Sequence, residues 1–189
     1  MREERTPTMT TMTTNYRTTI RINAPAETVF DAITNPEALA AWWSPVTGSG
    51  LTGGDLRFPM VAEHPPLLIH VDEASSPATV RWTVVECTFM EDWVNTQPTF
   101  TIAPLDAGAC DLTFEHVGLN NELECRDTCS RSWDHFVRTS LRELAEGGPG
   151  ARPAVPSSPP WPATARPRSA ISQPACRSPA RRSPSTSPS

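Results

Sequence analysis

Apolar and polar residues alternate along several short segments, and this period of two predicts half-buried β-strands. The predicted strands cover Tyr16–Ile22, Asp55–Val61, Leu67–Glu73, Thr79–Cys87, Trp93–Ala103 and Cys110–Val117. Three of them have the clearest shared faces, made by Thr18, Ile20 and Ile22, by Val80, Trp82 and Val84, and by Leu112, Phe114 and His116. Turn-forming residues separate the later strands, so the pattern predicts an antiparallel meander.

Two short helices are predicted between the first strand and the rest. The segment 23–27 suits a helix start, because proline is tolerated in the first turn and Glu27 favours the positive end of the helix dipole. Asn35 is predicted to cap the second helix, with Pro36 at its first position. That helix should end near Trp42 and Trp43.

A longer helix is predicted at the end of the domain. Asn121 and Glu124 resemble a capping box at its start, and Gly147 and Pro149 should stop it near Glu146. Apolar residues recur at helical spacing between these limits, at Cys125, Cys129, Trp133, Phe136, Val137, Leu141 and Leu144. The helix must bury this stripe against the sheet. A twisted sheet that wraps one long helix leaves a gap that can serve as an apolar pocket.

Charge and proline content divide the chain. Residues 1–146 contain ten arginines and all 21 acidic residues, a net charge of −11, whereas residues 147–189 contain six arginines and no acidic residue. The second segment also contains 11 of the 21 prolines. It buries too little apolar surface to offset the entropy of ordering. We predict a flexible Thr-rich N-terminus over residues 1–14, one folded domain over 15–147 and a disordered Pro/Arg/Ser-rich tail over 148–189.

Several classes of partner and compartment are disfavoured. An acidic domain repels phosphate, so we expect no nucleic-acid partner. The chain contains no run of about 18 apolar residues, so no membrane span is predicted. Its first residues lack the apolar region of a signal peptide, and a cytoplasmic location is therefore expected. The five cysteines are odd in number and follow no zinc-binding spacing, which fits free thiols in a reducing compartment.

Four motifs in order carry a resemblance to a known superfamily. They are Ile20–Phe30, Ala41–Trp43, Val80–Trp82 and Phe114–Leu119, the last followed by Glu124–Cys129, Trp133 and Ser140–Arg142. Over residues 15–147 the chain resembles the SRPBCC (START-like) superfamily, in the branch named for homologues of the heat-shock-protein ATPase activator. The resemblance implies an α+β helix-grip fold, in which a curved antiparallel sheet wraps a long C-terminal helix and two short helices follow the first strand.

The superfamily includes lipid carriers, aromatic polyketide cyclases, catalytic domains of Rieske oxygenases and co-chaperone domains, so the resemblance leaves the function open. The first hypothesis is a protein that binds a small apolar or aromatic molecule between the sheet and the long helix. One alternative is a cyclase- or hydrolase-like enzyme that uses His116. The other is a co-chaperone-like protein-interaction module. The sequence leaves the oligomeric state open.

Aromatic and polar residues on the predicted inner faces are the candidates for ligand contact. They are Trp42, Trp43, Trp82, Phe114, His116, Cys129 and Trp133. The tryptophans could stack on a ring-shaped ligand or simply fill the core. His116 is the one catalytic candidate, and its alternatives are orienting a ligand or holding the structure. Asp111 and Glu115 alternate to the opposite face and leave His116 without a carboxylate partner.

A metal site near His116 is an alternative interpretation. Cys125 and Cys129 lie four residues apart on one helix face and could join His116 as ligands. Zinc requires a fourth ligand, and none is evident in the sequence. We therefore predict no metal and no cofactor.

Overall fold

The computed structural model describes residues 14–147, and these form one curved antiparallel sheet with helices packed on its inner face. The strands are β1 (Tyr16–Ile22), β2 (Thr47–Gly48), β3 (Asp55–Phe58), β4 (Leu67–Ser75), β5 (Thr79–Glu86), β6 (Gln97–Asp106) and β7 (Ala109–Val117). Their order is β1-β7-β6-β5-β4-β3-β2. Sequence neighbours therefore pair everywhere except at β1, which closes on β7. Most of the predicted N-terminal segment, residues 1–13, and the predicted tail lie outside the described residues.

Two strand predictions need correction, and one short strand was missed. The strand that begins at Asp55 ends at Phe58, because Pro59 has no N–H to continue the ladder. Trp93 was predicted to open a strand, but it ends a 3₁₀ turn, and β6 begins only at Gln97. Asn95 explains the break, since its φ of 67° is left-handed and incompatible with a strand. The two-residue strand β2 was not predicted.

The helices are α1 (Ala26–Thr34), α2 (Pro36–Trp42), α3 (Arg126–His135) and α4 (Arg142–Ala145), with a π-helical segment at Phe136–Leu141 joining the last two. Residues 126–145 thus form one continuous C-terminal helix. The predicted capping box at Asn121 is wrong. That region forms turns, and in one of them the Asn120 side chain accepts a hydrogen bond from the Glu122 N–H at 2.9 Å.

The π-helical segment keeps the buried stripe of the C-terminal helix on one face. Cys129, Trp133, Val137 and Leu141 are four residues apart, and each is at most 1% exposed. In an α-helix a spacing of four advances the side chain by about 40° per step beyond a full turn. A π-helix turns less per residue, so the segment that begins at Phe136 reverses this drift. The stripe can then follow the sheet along its whole length.

The inner face of the sheet supplies the other half of the core. Alternate residues of β1, β5 and β7 are buried as their periodicity predicts, and the charged partners point outward. Across the strands, Phe114 lies opposite both Thr18 and Phe100, and Phe100 lies opposite Val80. This row of large side chains forms the floor on which the C-terminal helix packs.

Asn35 caps α2 as predicted, and removing its side chain should measurably destabilise the protein. Its side-chain oxygen accepts a hydrogen bond from the Glu37 N–H at 2.9 Å, and Pro36 follows at the first helical position. We expect Asn35→Ala to lower the free energy of unfolding by about 1 kcal/mol in urea titrations. Asn35→Asp keeps an acceptor at this position, and its free energy of unfolding should fall much less. Equal losses in the two variants would contradict the capping role.

Candidate functional site

A cluster of aromatic rings fills the space between the sheet and the helices, and Trp43 lies at its centre. Trp43 follows α2 as its C-terminal cap, with φ −116° and ψ −76°. Its ring centroid lies 4.3 Å from Phe58, 5.1 Å from Trp133 and 5.8 Å from Trp82. Trp42 stacks on its other side at 6.1 Å. One side chain thus connects the short helix, the sheet and the C-terminal helix.

The neighbouring Trp42 has a different environment. Its indole N–H donates to the Ala32 carbonyl at 2.8 Å and so joins α2 to α1. Because consecutive residues at a helix end point in different directions, Trp42 fixes the corner between the short helices while Trp43 enters the interior. The two rings are inclined by only 22° and remain in contact.

Two buried indole donors in this cluster have no hydrogen-bond partner among the described residues. They are Nε1 of Trp43 and Nε1 of Trp82, whose rings are 4% and 0% exposed. The rings are almost parallel, with an interplanar angle of 10°. A buried donor left without an acceptor costs about 1–3 kcal/mol. Such atoms in native proteins mark a place where an acceptor is needed.

His116 lies in the same interior and is fully buried. Its Nδ1 accepts a hydrogen bond from the Trp133 indole N–H at 3.0 Å, which places its proton on Nε2. Nε2–H then donates to Thr96 Oγ1 at 2.8 Å, and the Thr96 hydroxyl donates to the Trp93 carbonyl at 2.6 Å. The four residues form a directed chain from the C-terminal helix through β7 to the turn before β6.

This chain holds His116 in its neutral form. Burial lowers the pKa of His116 from its ordinary value of 6.5 to about 3. A second proton on Nδ1 would also face the Trp133 N–H, so two donors would oppose each other. The buried polar side chains among residues 14–147 are Thr18, Thr34, Thr96 and His116, and none is a carboxylate. The interior of the described domain therefore contains no acidic partner for the imidazole.

Gly118 supports the hydrogen-bonded chain from behind. Its φ is 95°, and a Cβ at this position would lie 2.8 Å from Thr96 Cγ2. Thr96 cannot retreat without loosening its hydrogen bonds to His116 and Trp93. We expect Gly118→Ala to lower the free energy of unfolding by about 1–2 kcal/mol, measured by urea denaturation.

Gly53 provides the matched control for that prediction. It also has a positive φ, of 79°, but a Cβ there would meet no atom within 4 Å. Gly53→Ala therefore shares the backbone strain and lacks the contact with Thr96. A loss as large as that of Gly118→Ala would refute the proposed support of Thr96.

The cysteines near the start of the C-terminal helix form a separate group. Cys129 is buried, with Sγ 3.6 Å from the Met90 Sδ, whereas Cys125 is half-buried. A hydrogen bond from Cys129 lowers the pKa of Cys125, and the same contact together with burial raises the pKa of Cys129. Within residues 14–147 no group of three or more histidine, cysteine or acidic side chains has a geometry that could hold a metal ion.

The structure brings most of the predicted contact residues together. Trp43 connects Trp42, Trp82 and Trp133, and Trp133 in turn contacts Phe114 at 4.5 Å and His116 at 5.9 Å between centroids. Cys129 lies one turn before Trp133, contacts Met90 and is also hydrogen-bonded to the Trp93 side chain.

Sequence reasoning missed several members of this interior, including Phe58, Trp93 and Thr96. Phe58 alternates with Leu56 on β3, so the period of two could have indicated it. Trp93 was placed in a strand, and Thr96 carried no signal.

Among the described residues, no helix is both long and apolar enough to cross a membrane.

Three solved structures illustrate the likeness of the fold. The Aha1 dimer from Colwellia psychrerythraea has a TM-score of 0.61 and 23% identity, with 72% of this chain and 98% of that chain covered. Protein BH1534 from Bacillus halodurans has a TM-score of 0.55 and 22% identity, with 70% of this chain and 97% of that chain covered. DynU16, a protein in the dynemicin biosynthetic locus, has a TM-score of 0.56 and 22% identity, with 72% of this chain but only 48% of that chain covered. These identities show a shared fold.

The sequence itself identifies the family. No curated protein sequence matches the chain significantly. The family model described as activator of Hsp90 ATPase homolog 1-like protein, however, matches residues 23–146, about two thirds of the chain. That match spans both short helices, six of the seven strands and the C-terminal helix. The chain therefore belongs to the family of activator of Hsp90 ATPase homolog 1-like proteins.

Proposed function

We propose that the protein binds a small apolar or aromatic molecule between the sheet and the C-terminal helix. The helix-grip fold of the family is a ligand-binding fold. The observation that carries the proposal for this chain is the ring cluster around Trp43, which joins α2, β5 and the C-terminal helix. Large rings from separate elements offer flat apolar surface for ligand contact. The proposed contact residues are Trp43, Trp82, Phe114 and Trp133, with Trp42 behind them and Cys129 and His116 at the border.

The arrangement of His116 favours binding over catalysis. A general base needs a free lone pair within reach of the substrate. In this structure Nδ1 of His116 receives the Trp133 N–H and Nε2 carries the proton donated to Thr96. We therefore assign His116 a positioning role in which it orients the Trp133 ring at the edge of the proposed site.

A partner-binding role has less support. The large exposed hydrophobic residues among the described ones are Leu51, Val85, Leu105 and Val117, which lie in a loop and on three different strands. Isolated exposed hydrophobic side chains are ordinary on protein surfaces.

Nile red titration tests the proposal, because this uncharged dye fluoresces strongly in apolar surroundings. We expect saturable binding of one dye per chain, weakened at least about tenfold (about 1.4 kcal/mol) by Trp43→Ala. Leu51→Ser removes an exposed apolar side chain and should leave the affinity unchanged. Absence of saturable binding, or its loss in Leu51→Ser alone, would show that the interior is not the site. Native mass spectrometry of the purified protein would then identify any molecule it retains.

A further inference from the structure

The buried indole groups of Trp43 and Trp82 indicate which kind of ligand the interior can accept. Both Nε1–H groups are donors without a partner among the described residues, although the other donor of the central cluster, Trp133, is matched to His116. Neighbouring Trp42 is likewise matched, to the Ala32 carbonyl. The two unmatched donors thus belong to the pair of rings that lie against each other in the middle of the proposed site.

The stacking of these rings limits how a ligand can approach. Their centroids are 5.8 Å apart and their planes differ by 10°. An inserted aromatic ring would need about 7 Å, twice the normal contact distance between carbon atoms. A ligand must therefore meet the edges of the rings. An indole N–H points outward in the plane of its ring, so an edge is also where an acceptor can be reached.

Charge limits the ligand further. The buried polar side chains among residues 14–147 are three threonines and one histidine, and His116 is held neutral. No arginine among these residues is buried as a whole, and Arg126, whose Nε is buried, lies at the start of the C-terminal helix with 31% of its side chain exposed. An anion placed at the ring edges would lose its hydration without meeting a cation, which is strongly unfavourable. A carbonyl or hydroxyl oxygen can instead accept an indole N–H while remaining uncharged.

We infer that the ligand is an uncharged molecule with an apolar ring body and an oxygen acceptor that receives the N–H groups of Trp43 and Trp82. A ketone oxygen has two lone pairs and can accept from one ring or from both. This inference rests on the proposed function, because it describes the polar end of a ligand in the same site.

Three probes with one skeleton separate the contributions: indane, 1-indanone and indane-1-carboxylate. Their affinities are measured by displacement of Nile red. In the wild-type protein the carboxylate should bind at least about tenfold more weakly than the ketone, because burial penalises its charge. Trp43→Phe and Trp82→Phe keep a ring but remove the donor. In each variant the affinity for 1-indanone should fall about three- to tenfold relative to the affinity for indane, which is the range for one hydrogen bond.

Trp93→Phe is the matched control, since it also reduces a buried indole to a phenyl ring and should leave the ratio unchanged. A second measurement needs no substitution. In ¹⁵N–¹H spectra the indole protons of Trp43 and Trp82 should move downfield when 1-indanone binds and stay in place with indane. The Phe variants assign these resonances.

The outcomes separate the two proposals. If indane and 1-indanone both displace the dye with the same ratio in every variant, and the indole protons do not respond, the polar subsite is wrong and apolar binding stands. If the dye binds but neither probe displaces it, the subsite proposal also fails. If Nile red itself does not bind saturably, the proposed function fails together with it.

Discussion

Trp133→Ala is expected to lower the free energy of unfolding by about 3–5 kcal/mol, the range for truncating a large buried aromatic side chain. Trp133 is fully buried and contacts rings from the sheet, from α2 and from its own helix. Its removal would also leave Nδ1 of His116 without a donor. Urea denaturation followed by far-UV circular dichroism measures the change.

Trp133→Phe separates the two contributions. It keeps a ring against Phe114 and Trp43 but removes the indole N–H, so the loss should be clearly smaller than that of Trp133→Ala. A loss below about 1 kcal/mol for the alanine variant would place Trp133 outside the core and contradict the packing of the C-terminal helix.

Acid should destabilise the protein through His116. The pKa of His116 is lowered to about 3 in the folded protein, whereas an exposed histidine in the unfolded chain titrates near 6.5. Between these values the unfolded chain binds one more proton, so stability is fully present above about pH 6.5 and is lost as the pH falls toward 3. The slope approaches about 1.4 kcal/mol per pH unit below pH 6.5, which amounts to about 3 kcal/mol between pH 7.5 and 4.5.

His116→Gln removes this titration while its amide can still donate to Thr96 and accept from Trp133. Urea denaturation of both proteins from pH 7.5 to 4.5 therefore isolates the histidine, because the carboxylates contribute equally to each. Over this pH range we expect the free energy of unfolding of the wild-type protein to fall by about 3 kcal/mol more than that of the variant. Parallel curves would mean that His116 is protonated within the folded protein and that the buried chain opens in acid.

The side chains that stabilise this interior are also the ones proposed to contact the ligand. Trp133 is hydrogen-bonded to His116. Trp43 contacts Trp133, and Trp82 in turn contacts Trp43. A ligand that accepts the two unmatched N–H groups would relieve an unfavourable burial as well as add apolar contact. Ligand binding is therefore expected to raise the melting temperature, because it stabilises the folded state alone.

The sequence by itself determined the fold and part of the composition of the interior. Period-two alternation placed Trp82, Phe114 and His116 on buried faces, and that pattern depends only on the geometry of a strand. Asn35 and Pro36 marked the start of α2 because capping is local to one turn. The motifs from Ile20 onward indicated the family that the sequence comparison then showed.

The tertiary structure alone decided how these residues meet. Helical spacing identified Cys129, Trp133, Val137 and Leu141 as one stripe, but only packing along the sheet required a π-helical segment to keep them aligned. The pairing of Trp133 with His116 and Thr96 joins residues up to 37 positions apart through separate elements. The unmatched donors of Trp43 and Trp82 likewise depend on every neighbour in three dimensions, and hydrogen-bond satisfaction at such a distance leaves no local trace in a sequence.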